Sequence, residues 1–322
     1  MKQGIYSPDL LPEEHIYGFL ARTMFLNAAQ EKYKAQAALC ADNRALLASP
    51  IYQTFMPALV TGLSEQFGLS TETLYRKHSM LGFYRHAMDC GQLHQIMRNK
   101  VRKDIYPIGA MALKTTKWRY CPVCIEADQN IHGTDYWHVE HQLPTSLTCH
   151  LHGHVLLLPM SDNQAHGSND LRKTPRPSHC ASVTALKQPQ EFELNGAQVW
   201  LQQAGLELFN DTSKFVDSKY KYALTYEVPF RFTCLYKITS TNNIFVCDEV
   251  QGQFLEWLLE HQLDMFFSKP LGISELKTLR IDRLKYSPLS SPILYHLLWL
   301  RFLGAKNVGD AYRDVSSVYI AG

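Results

Sequence analysis

The spacing of apolar residues predicts a mainly α-helical protein. Near the N-terminus, side chains that suit one buried helix face recur at helical spacing; they are Ile16, Phe19, Leu20, Thr23 and Met24. The preceding Pro12-Glu13-Glu14 suits the first turn of this helix, because proline and acidic residues are favoured there. Helical patterns also cover residues 79–97, 195–209, 253–267, 273–284 and 293–303. Residues 220–238 are rich in aromatic and β-branched residues, and their pattern does not decide between strand and helix.

A second N-terminal stretch, residues 58–78, has the pattern of two helices joined by a tight turn. Leu59, Leu63 and Phe67 mark one face of the first helix. In the turn that follows, Gly68 accepts a left-handed backbone and Ser70 can cap the second helix. This is the helix-turn-helix pattern, in which the second helix enters the major groove of DNA. Two helices that only pack against a core share the pattern, and the sequence leaves both interpretations open.

Two short cysteine-containing turns predict a metal centre in the middle of the chain. Cys121 and Cys124 form a C-x2-C pair, and Cys149 and His152 form a C-x2-H pair after a gap of twenty-four residues. Two residues between ligands let one turn present both side chains to a single ion, and four such ligands close a structural zinc site. His154 is the alternative fourth ligand, through C-x4-H spacing. We expect one structural Zn²⁺ held by Cys121, Cys124, Cys149 and His152.

The histidines near these turns also allow a catalytic hypothesis. They are His132, His138, His141, His150 and His154. A catalytic zinc ion needs an open coordination position and usually a carboxylate base, for which Glu140 is the local candidate. Because three cysteines and one histidine already complete a closed set, we expect no catalytic residues and no enzyme activity. Cys180, Cys234 and Cys247 lack C-x2-C spacing, so buried free thiols rather than a second zinc site are expected there.

These patterns divide the chain into four parts. We expect a helical region with the helix-turn-helix at residues 1–117 and a zinc-ribbon or zinc-finger module at 118–160. A linker at 161–180 and a mainly helical C-terminal region at 181–322 follow. The linker prediction depends on a polar composition with interspersed glycine and proline.

Composition and charge narrow the function classes. Of 322 residues, 46% are hydrophobic and 19% are charged, which indicates a folded chain. The sequence shows neither a signal-peptide pattern nor an apolar run of membrane-spanning length. With metal-type cysteine spacing, this favours a protein of the reducing cytosol that does not bind membranes. The net charge is only +2, whereas a protein that binds DNA tightly by itself usually has a more basic domain.

Basic residues concentrate in the second predicted helix of the helix-turn-helix and before the first cysteine. The candidate nucleic-acid contacts are Arg76, Lys77, Lys100, Arg102, Lys103, Lys114, Lys117 and Arg119. A solvated basic face and a phosphate-binding surface beside the metal module both explain this concentration.

Several motifs resemble the TniQ family, which includes TnsD, a target-site selector of DNA transposons. They are R-Y-C-P-x-C at residues 119–124, Tyr136-Trp137, Leu143-Pro144, and C-x-x-H-G-x-x-L at residues 149–156. The entry segment is also similar, since an acidic residue precedes an apolar helix that carries Arg22. A proline-led helix from Pro292 to Gly304 resembles one found in TnsD-like proteins.

The resemblance implies a helical, zinc-containing adaptor that lacks catalytic activity and selects where a transposon inserts. Such a protein recruits an AAA+ ATPase regulator, TnsC, which engages the transposase. Longer TnsD-like members bind an attachment site partly through C-terminal extensions, whereas shorter members dock on an RNA-guided CRISPR effector complex and often form homodimers. Because the sequence ends at Gly322, soon after Gly304, we expect a short member or a shortened form of a longer one.

Three functions follow from these observations. The favoured one is a targeting adaptor between a recognition complex and an AAA+ regulator. The second is a sequence-specific DNA-binding target selector, which the helix-turn-helix and the basic stretch support and the low net charge opposes. The third is a zinc-dependent hydrolase or nuclease, which only the density of histidines supports.

Overall fold

Helices dominate the computed structural model, which describes residues 6–27, 57–88, 90–98, 118–156, 176–179, 192–214, 236–238, 244–246, 248–266 and 292–308. The α-helices are α1 (Ile16–Leu26), α2 (Pro57–Phe67), α3 (Thr71–Lys77), α4 (Leu81–Tyr84), α5 (Cys90–Met97), α6 (Pro122–His132), α7 (Gly196–Phe209), α8 (Asp248–Glu260) and α9 (Pro292–Phe302). Short 3-10 helices cover Arg85–Ala87, Glu140–Gln142, Pro177–His179 and Asp264–Phe266. Strands β1 (Tyr236–Ile238) and β2 (Ile244–Val246) pair antiparallel, with Lys237 opposite Phe245. The mainly α fold class is confirmed.

The chain separates into two compact units. The first comprises Met1–Phe83, Gly91–Tyr106 and Thr116–Glu193, and the second comprises Tyr84–Cys90, Pro107–Thr115 and Leu194–Gly322. The four-part division expected from the sequence stays a prediction. Within the described ranges, no helix combines the length and the apolar composition needed to cross a bilayer.

The first helix starts later than its acidic lead-in suggests. Glu13 has a φ of 52°, a left-handed backbone that a helix cannot contain. His15 instead caps α1, because its Nδ1 accepts a hydrogen bond from the Tyr17 N–H at 3.2 Å. The expectation that Pro12 to Glu14 form the first helical turn is therefore wrong, although the helix itself is confirmed.

A buried ion pair closes this turn against α1. Arg22 donates from Nε to Oε1 of Glu14 at 2.9 Å and from Nη2 to Oε2 at 2.7 Å. The same guanidinium donates to the carbonyl of Asp9 at 2.7 Å. Burial raises the pKa of Glu14, while the hydrogen bonds and charge of Arg22 act to lower it. Arg22 thus has a structural role, since it holds the turn before α1 against the helix.

Helices α2 and α3 meet at a tight turn, as the sequence predicts. Gly68 has a φ of 64°, and the Ser70 hydroxyl accepts a hydrogen bond from the Thr73 N–H at 3.0 Å to cap α3. Leu63 of α2 and Leu74 of α3 are buried. The two-helix geometry is therefore confirmed, whereas its contact with DNA is not tested by the fold.

The stretch 79–97 is not one continuous helix. It contains α4, a 3-10 turn and α5, and Met88 between them has an extended backbone. The side chain of Arg85 lies in the second unit, where Nη2 contacts Asp211 Oδ2 at 2.6 Å and Nη1 donates to the carbonyls of Ser213 and Lys214. These distant contacts override the local helical preference.

Helix α9 forms the core of the second unit. Its residues from Ile293 to Leu300 are all buried, and Gly304, with a φ of 85°, ends it as expected. Trp299 stacks on Phe254 of α8, with ring centroids 4.1 Å apart. Helix α7 carries a capping box and was expected over 195–209, which is confirmed.

Two other predictions for the C-terminal half need correction or lie outside the described residues. Helix α8 starts at Asp248 and ends at Glu260 rather than covering 253–267, and Gln262 then has a left-handed φ of 54°. Residues 236–238 form β1, so this end of the undecided stretch is a strand. The predicted helix at 273–284 lies outside the described residues, as does most of the linker.

Candidate metal centre

The first cysteine pair lies at the start of a helix. Cys121 is the N-cap of α6, and Pro122 occupies the first helical position, where a missing N–H is no loss. Cys124 follows in the first turn, so both cysteines lie at the helix N-terminus. The positive end of the helix dipole favours a thiolate at this end.

The second pair lies in a tight turn between two extended segments. The N–H of Gly153 donates to the carbonyl of Cys149, and the N–H of Cys149 donates to the carbonyl of His154, both at 2.8 Å. Gly153 has a φ of 70°, a backbone that a residue with a side chain adopts only with strain. The turn therefore presents Cys149 and His152 on the same side of a compact loop.

The two turns bring four donor atoms together. The sulfurs of the three cysteines and Nδ1 of His152 lie within 4.8 Å of one another. His152 Nδ1 is 3.7, 3.3 and 3.5 Å from the Sγ atoms of Cys121, Cys124 and Cys149. Cys124 Sγ and Cys149 Sγ are 3.6 Å apart. Ligands of a tetrahedral ion at bond lengths of about 2.0–2.3 Å lie roughly 3.5–3.8 Å from one another. The four residues are thus close enough to share one metal ion.

The three thiols strongly perturb one another's protonation. A hydrogen bond with Cys124 lowers the pKa of Cys121, and the same contact raises the pKa of Cys124. The contact with Cys121 raises the pKa of Cys149 to about 11. Three buried thiolates repel one another, so a divalent cation is the natural compensation for ionising all of them.

The geometry favours His152 over His154 as the fourth donor. Nδ1 of His152 belongs to the cluster, whereas His154 contributes its carbonyl to the turn. Nδ1 of His154 is buried and has no hydrogen-bond partner among the residues that the structure describes. The C-x2-H spacing is therefore the one that the fold brings to the three sulfurs.

A short 3-10 helix between the two turns, Glu140–Gln142, contacts both of them and is called the brace below. The Gln142 side chain accepts from the N–H of Arg119 at 2.9 Å and donates to its carbonyl at 2.8 Å. Glu140 Oε2 lies 3.0 Å from Nε2 of His150, which lies in the second turn. The brace thus fixes the entry to the first turn and one side chain of the second.

His141, the middle residue of the brace, reaches the cluster itself. Its Nε2 lies 3.7 Å from Cys124 Sγ, and its side chain is buried. Burial lowers the pKa of His141 well below its usual value, so the ring is neutral. The sequence gives Glu140 and His141 a role only in the catalytic hypothesis, and it gives Gln142 no role. The sequence signal that could have identified these residues is a run of three adjacent polar residues between the two cysteine-containing turns.

The other histidines do not form a second metal centre within the residues that the structure describes. Among these residues, one group of three or more potential ligands is close enough to hold a metal, the cluster of three cysteines and His152. His138 Nε2 contacts Asp128 Oδ2 at 2.8 Å, and His132 packs edge-on against Tyr136.

The N-terminal half of the chain matches a known family. Residues 5–156 match the protein-family model of TniQ. The chain carries a TniQ domain. This span contains α1 to α6 and all four clustered donors. This match confirms the resemblance over residues 5–156 and associates that part of the chain with transposition. A comparison with curated proteins gave no match.

Two of the predicted nucleic-acid contacts lie on α3 of the TniQ domain, and both are paired with acids of the chain. Arg76 forms an i,i+4 ion pair with Glu72 on the same helix. Lys77 Nζ lies 2.9 Å from Oε1 of Glu13 in the entry segment. Both cations are partly exposed, so these contacts weaken rather than remove the positive surface of α3.

A third predicted contact, Arg119, lies inside the TniQ domain rather than on its surface. Its guanidinium is buried and donates to the carbonyls of Ser146 and of Leu143, the latter at 2.6 Å. In this position it supports the segment that leads to the second turn. The remaining candidates, Lys100, Arg102, Lys103, Lys114 and Lys117, lie outside the described residues.

Proposed function

We propose that this protein is a non-catalytic targeting adaptor of DNA transposition in the bacterial cytoplasm. It connects a target-recognition complex, which is a CRISPR effector or target DNA, to an AAA+ regulator of the transposase of the TnsC type. The observation that carries this proposal is the match of residues 5–156 to the TniQ family.

The metal ion in this proposal is one structural Zn²⁺. Three thiolates and one imidazole are a donor set that zinc prefers, and four protein ligands leave no open position for catalysis. The side chains of the three cysteines are almost fully buried, as suits a closed site. Zinc binding of this kind contributes on the order of 10–16 kcal/mol of apparent free energy to small modules.

The segment that leads into α1, from Glu13 to Ile16, supports a role for the metal beyond its own module. The N–H of His15 donates to the carbonyl of Trp137 at 2.7 Å, and the N–H of Val139 donates to the carbonyl of Glu13 at 3.0 Å. On its other side, the N–H of Ile16 donates to the carbonyl of His78 at the end of α3. Loss of the metal would therefore disturb the α1–α3 helices as well as the two turns, and with them a partner surface built from both.

The proposal is tested by capture of a TnsC-type AAA+ ATPase, using tagged protein with ATP and candidate target DNA or effector complex. Wild type is expected to retain the ATPase, and Cys124→Ser is expected to lose it. His132→Gln is the control, because His132 is exposed on the same module and is not one of the clustered donors. Failure of wild-type protein to capture the ATPase under any of these conditions would contradict the adaptor role.

Direct reading of a DNA sequence is the second candidate. The observation in its favour is the α2–turn–α3 geometry, in which a short capped helix follows a left-handed glycine. Nanomolar binding to one candidate duplex, with much weaker binding to a random duplex at physiological salt, would favour this function over the adaptor.

A further inference from the structure

One buried polar side chain approaches the metal centre without belonging to the four-donor set. His141 Nε2 lies 3.7 Å from the sulfur of Cys124, which itself lies 3.3 Å from His152 Nδ1 and 3.6 Å from Cys149 Sγ. His141 is 2% exposed. Its nitrogen therefore has a sulfur partner in a part of the fold with little access to water.

The position of His141 is set by its two neighbours in the brace. Glu140 is held by its contact with His150, and Gln142 is held by two hydrogen bonds to the backbone of Arg119. With both neighbours anchored, the imidazole is oriented towards Cys124 by contacts outside the four-donor set. This is preorganisation of the kind that second-shell groups supply to metal sites.

A donor at this place has a clear chemical purpose. One divalent ion and three thiolates leave one net negative charge in a buried site, because the imidazole ligand is neutral. An N–H group that points at a thiolate sulfur stabilises that charge and orients the ligand. We infer that His141 donates a hydrogen bond from Nε2 to the Cys124 thiolate and acts as a positioning residue for the metal.

This inference rests on the proposed zinc site, but it makes a separate statement. His141 is not a fifth ligand, and it does not replace His152. The four clustered donors already complete a tetrahedral set. Loss of His141 should therefore leave the coordination number and the ligand identities unchanged. It should lower the affinity for the metal ion and change the electron density on the Cys124 sulfur.

The test uses the full chain loaded with Zn²⁺ and, separately, with Co²⁺. Wild type is compared with His141→Phe, His141→Gln and the control His132→Phe, which replaces an exposed histidine of the same module. Competition with a chromophoric chelator measures metal affinity. We expect His141→Phe to lose about 10- to 100-fold in affinity, as is typical for outer-shell partners. His141→Gln, which keeps an N–H donor, should recover part of the loss, and His132→Phe should match wild type.

The Co²⁺ spectrum separates a hydrogen-bond donor from a structural role. Without the N–H contact the Cys124 thiolate is more electron-rich, so the sulfur-to-cobalt charge-transfer band of His141→Phe should shift to lower energy. The ligand-field bands should stay those of a tetrahedral three-sulfur, one-nitrogen site. Altered ligand-field bands would mean that His141 is a ligand, and an unchanged affinity and charge-transfer band would mean that it makes no contact. Either result overturns the inference.

A measurement on the wild-type protein tests the inference without depending on the folding of any variant. Nitrogen-15 NMR of the zinc-loaded protein should show the His141 proton on Nε2, and a proton on Nδ1 alone would refute the inference. Wild-type protein that binds neither ion would overturn the zinc proposal and this inference together. Normal metal binding by the wild type, together with an unchanged affinity and charge-transfer band in His141→Phe, would overturn this inference alone.

Discussion

Two adjacent residues with the same charge, Glu13 and Glu14, have different environments. The Glu14 side chain is 1% exposed and pairs with Arg22, whereas the Glu13 side chain is 32% exposed and pairs with Lys77. A buried carboxylate depends on its partner to stabilise its charge, while an exposed one is solvated whether or not the partner is there. The sequence pattern Glu-Glu does not distinguish these two roles, because only the left-handed turn at Glu13 assigns them.

Neutralising each glutamate measures this difference. Glu14→Gln leaves the buried guanidinium of Arg22 without its counter-charge, and we expect a loss of about 3 kcal/mol in the free energy of unfolding. Glu13→Gln is the matched control and should cost less than about 1 kcal/mol, since exposed pairs contribute little. Chemical denaturation of both variants measures these values, and equal losses would contradict the assigned roles.

At the candidate metal centre, Cys124→Ser removes the sulfur that lies nearest His152 Nδ1. We expect the variant to bind no stoichiometric metal by elemental analysis and to melt at a lower temperature than wild type. Metal binding and folding are coupled, so a strong chelator should lower the melting temperature of wild type and leave the variant unchanged. A wild type that folds fully without metal, with the same melting temperature as the loaded form, would show that the cluster is not a structural metal site.

At the scale of elements, the turn between α2 and α3 depends on one backbone conformation. Gly68 has a left-handed φ, whereas Gly62 lies inside α2, and a Cβ at either position meets no atom within 4 Å. Gly68→Ala should therefore destabilise by about 1 kcal/mol through strain alone. Gly62→Ala should stabilise by up to about 1 kcal/mol, because alanine favours helices. The two substitutions should thus have opposite signs in thermal unfolding, and a stabilising Gly68→Ala would contradict the turn.

The end of α3 gives the fold a pH dependence. Burial lowers the pKa of His78, although its hydrogen bond with the Glu14 carbonyl and the charge of Glu13 act in the other direction. Below about pH 6.5 the unfolded chain therefore binds a proton at His78 that the folded chain binds less readily. Stability from this group is complete above that pH and is lost as the pH falls, by at most about 1.4 kcal/mol per unit.

This pH dependence is measured as a difference between variants. Unfolding free energies of wild type and His78→Asn between pH 7.5 and 5.5 are compared, so that contributions from other groups cancel. We expect a shallower slope in His78→Asn, even if its stability at pH 7.5 is lower because the contact with the entry segment is weakened. Parallel slopes would show that His78 is not kept neutral by the fold.

The elements that the sequence predicts well are those with local signals. The turn at Gly68, the helix between Pro292 and Gly304, and the paired metal-type spacing each occupy a short stretch whose chemistry is readable in place. The predictions that were wrong failed because of contacts between residues that are far apart in the sequence. Helix α5 is separated from α4 because Arg85 bonds to Asp211, 126 positions away, and no local pattern encodes that contact.

The brace was missed for a similar reason. Gln142 gains its role only when the fold places it beside the backbone of Arg119, 23 positions earlier. Its burial could not be inferred from periodicity, because three consecutive polar residues resemble an exposed loop in the sequence. The clustering of the three cysteines and His152 was predictable since spacing alone groups them, whereas the residues that orient them require the three-dimensional contacts.

At the scale of the whole molecule, charge limits how the protein can meet DNA. The net charge is +2, with 32 lysines and arginines against 30 acids. Where the structure describes the candidate contacts, Arg76 and Lys77 are paired with acids and Arg119 is buried. Among the candidate contacts, the basic residues between 98 and 117 are therefore those left to make a stronger electrostatic contact with phosphates. This favours a protein that reaches its target mainly through partners.

We accordingly expect the isolated chain to bind DNA weakly, with little sequence preference and a shallow salt dependence. Two or three phosphate contacts would reduce affinity by roughly 10- to 50-fold between 50 and 200 mM salt, whereas six to ten contacts would reduce it by about 10³–10⁵-fold. Titration of labelled random and candidate duplexes across this salt range gives the slope directly. Charge reversal at Arg102 and Lys103 should flatten the slope further and leave capture of the AAA+ partner intact, because the proposed adaptor contacts do not depend on phosphate binding. A steep slope with nanomolar selectivity for one duplex would instead identify a protein that selects its target by reading DNA itself.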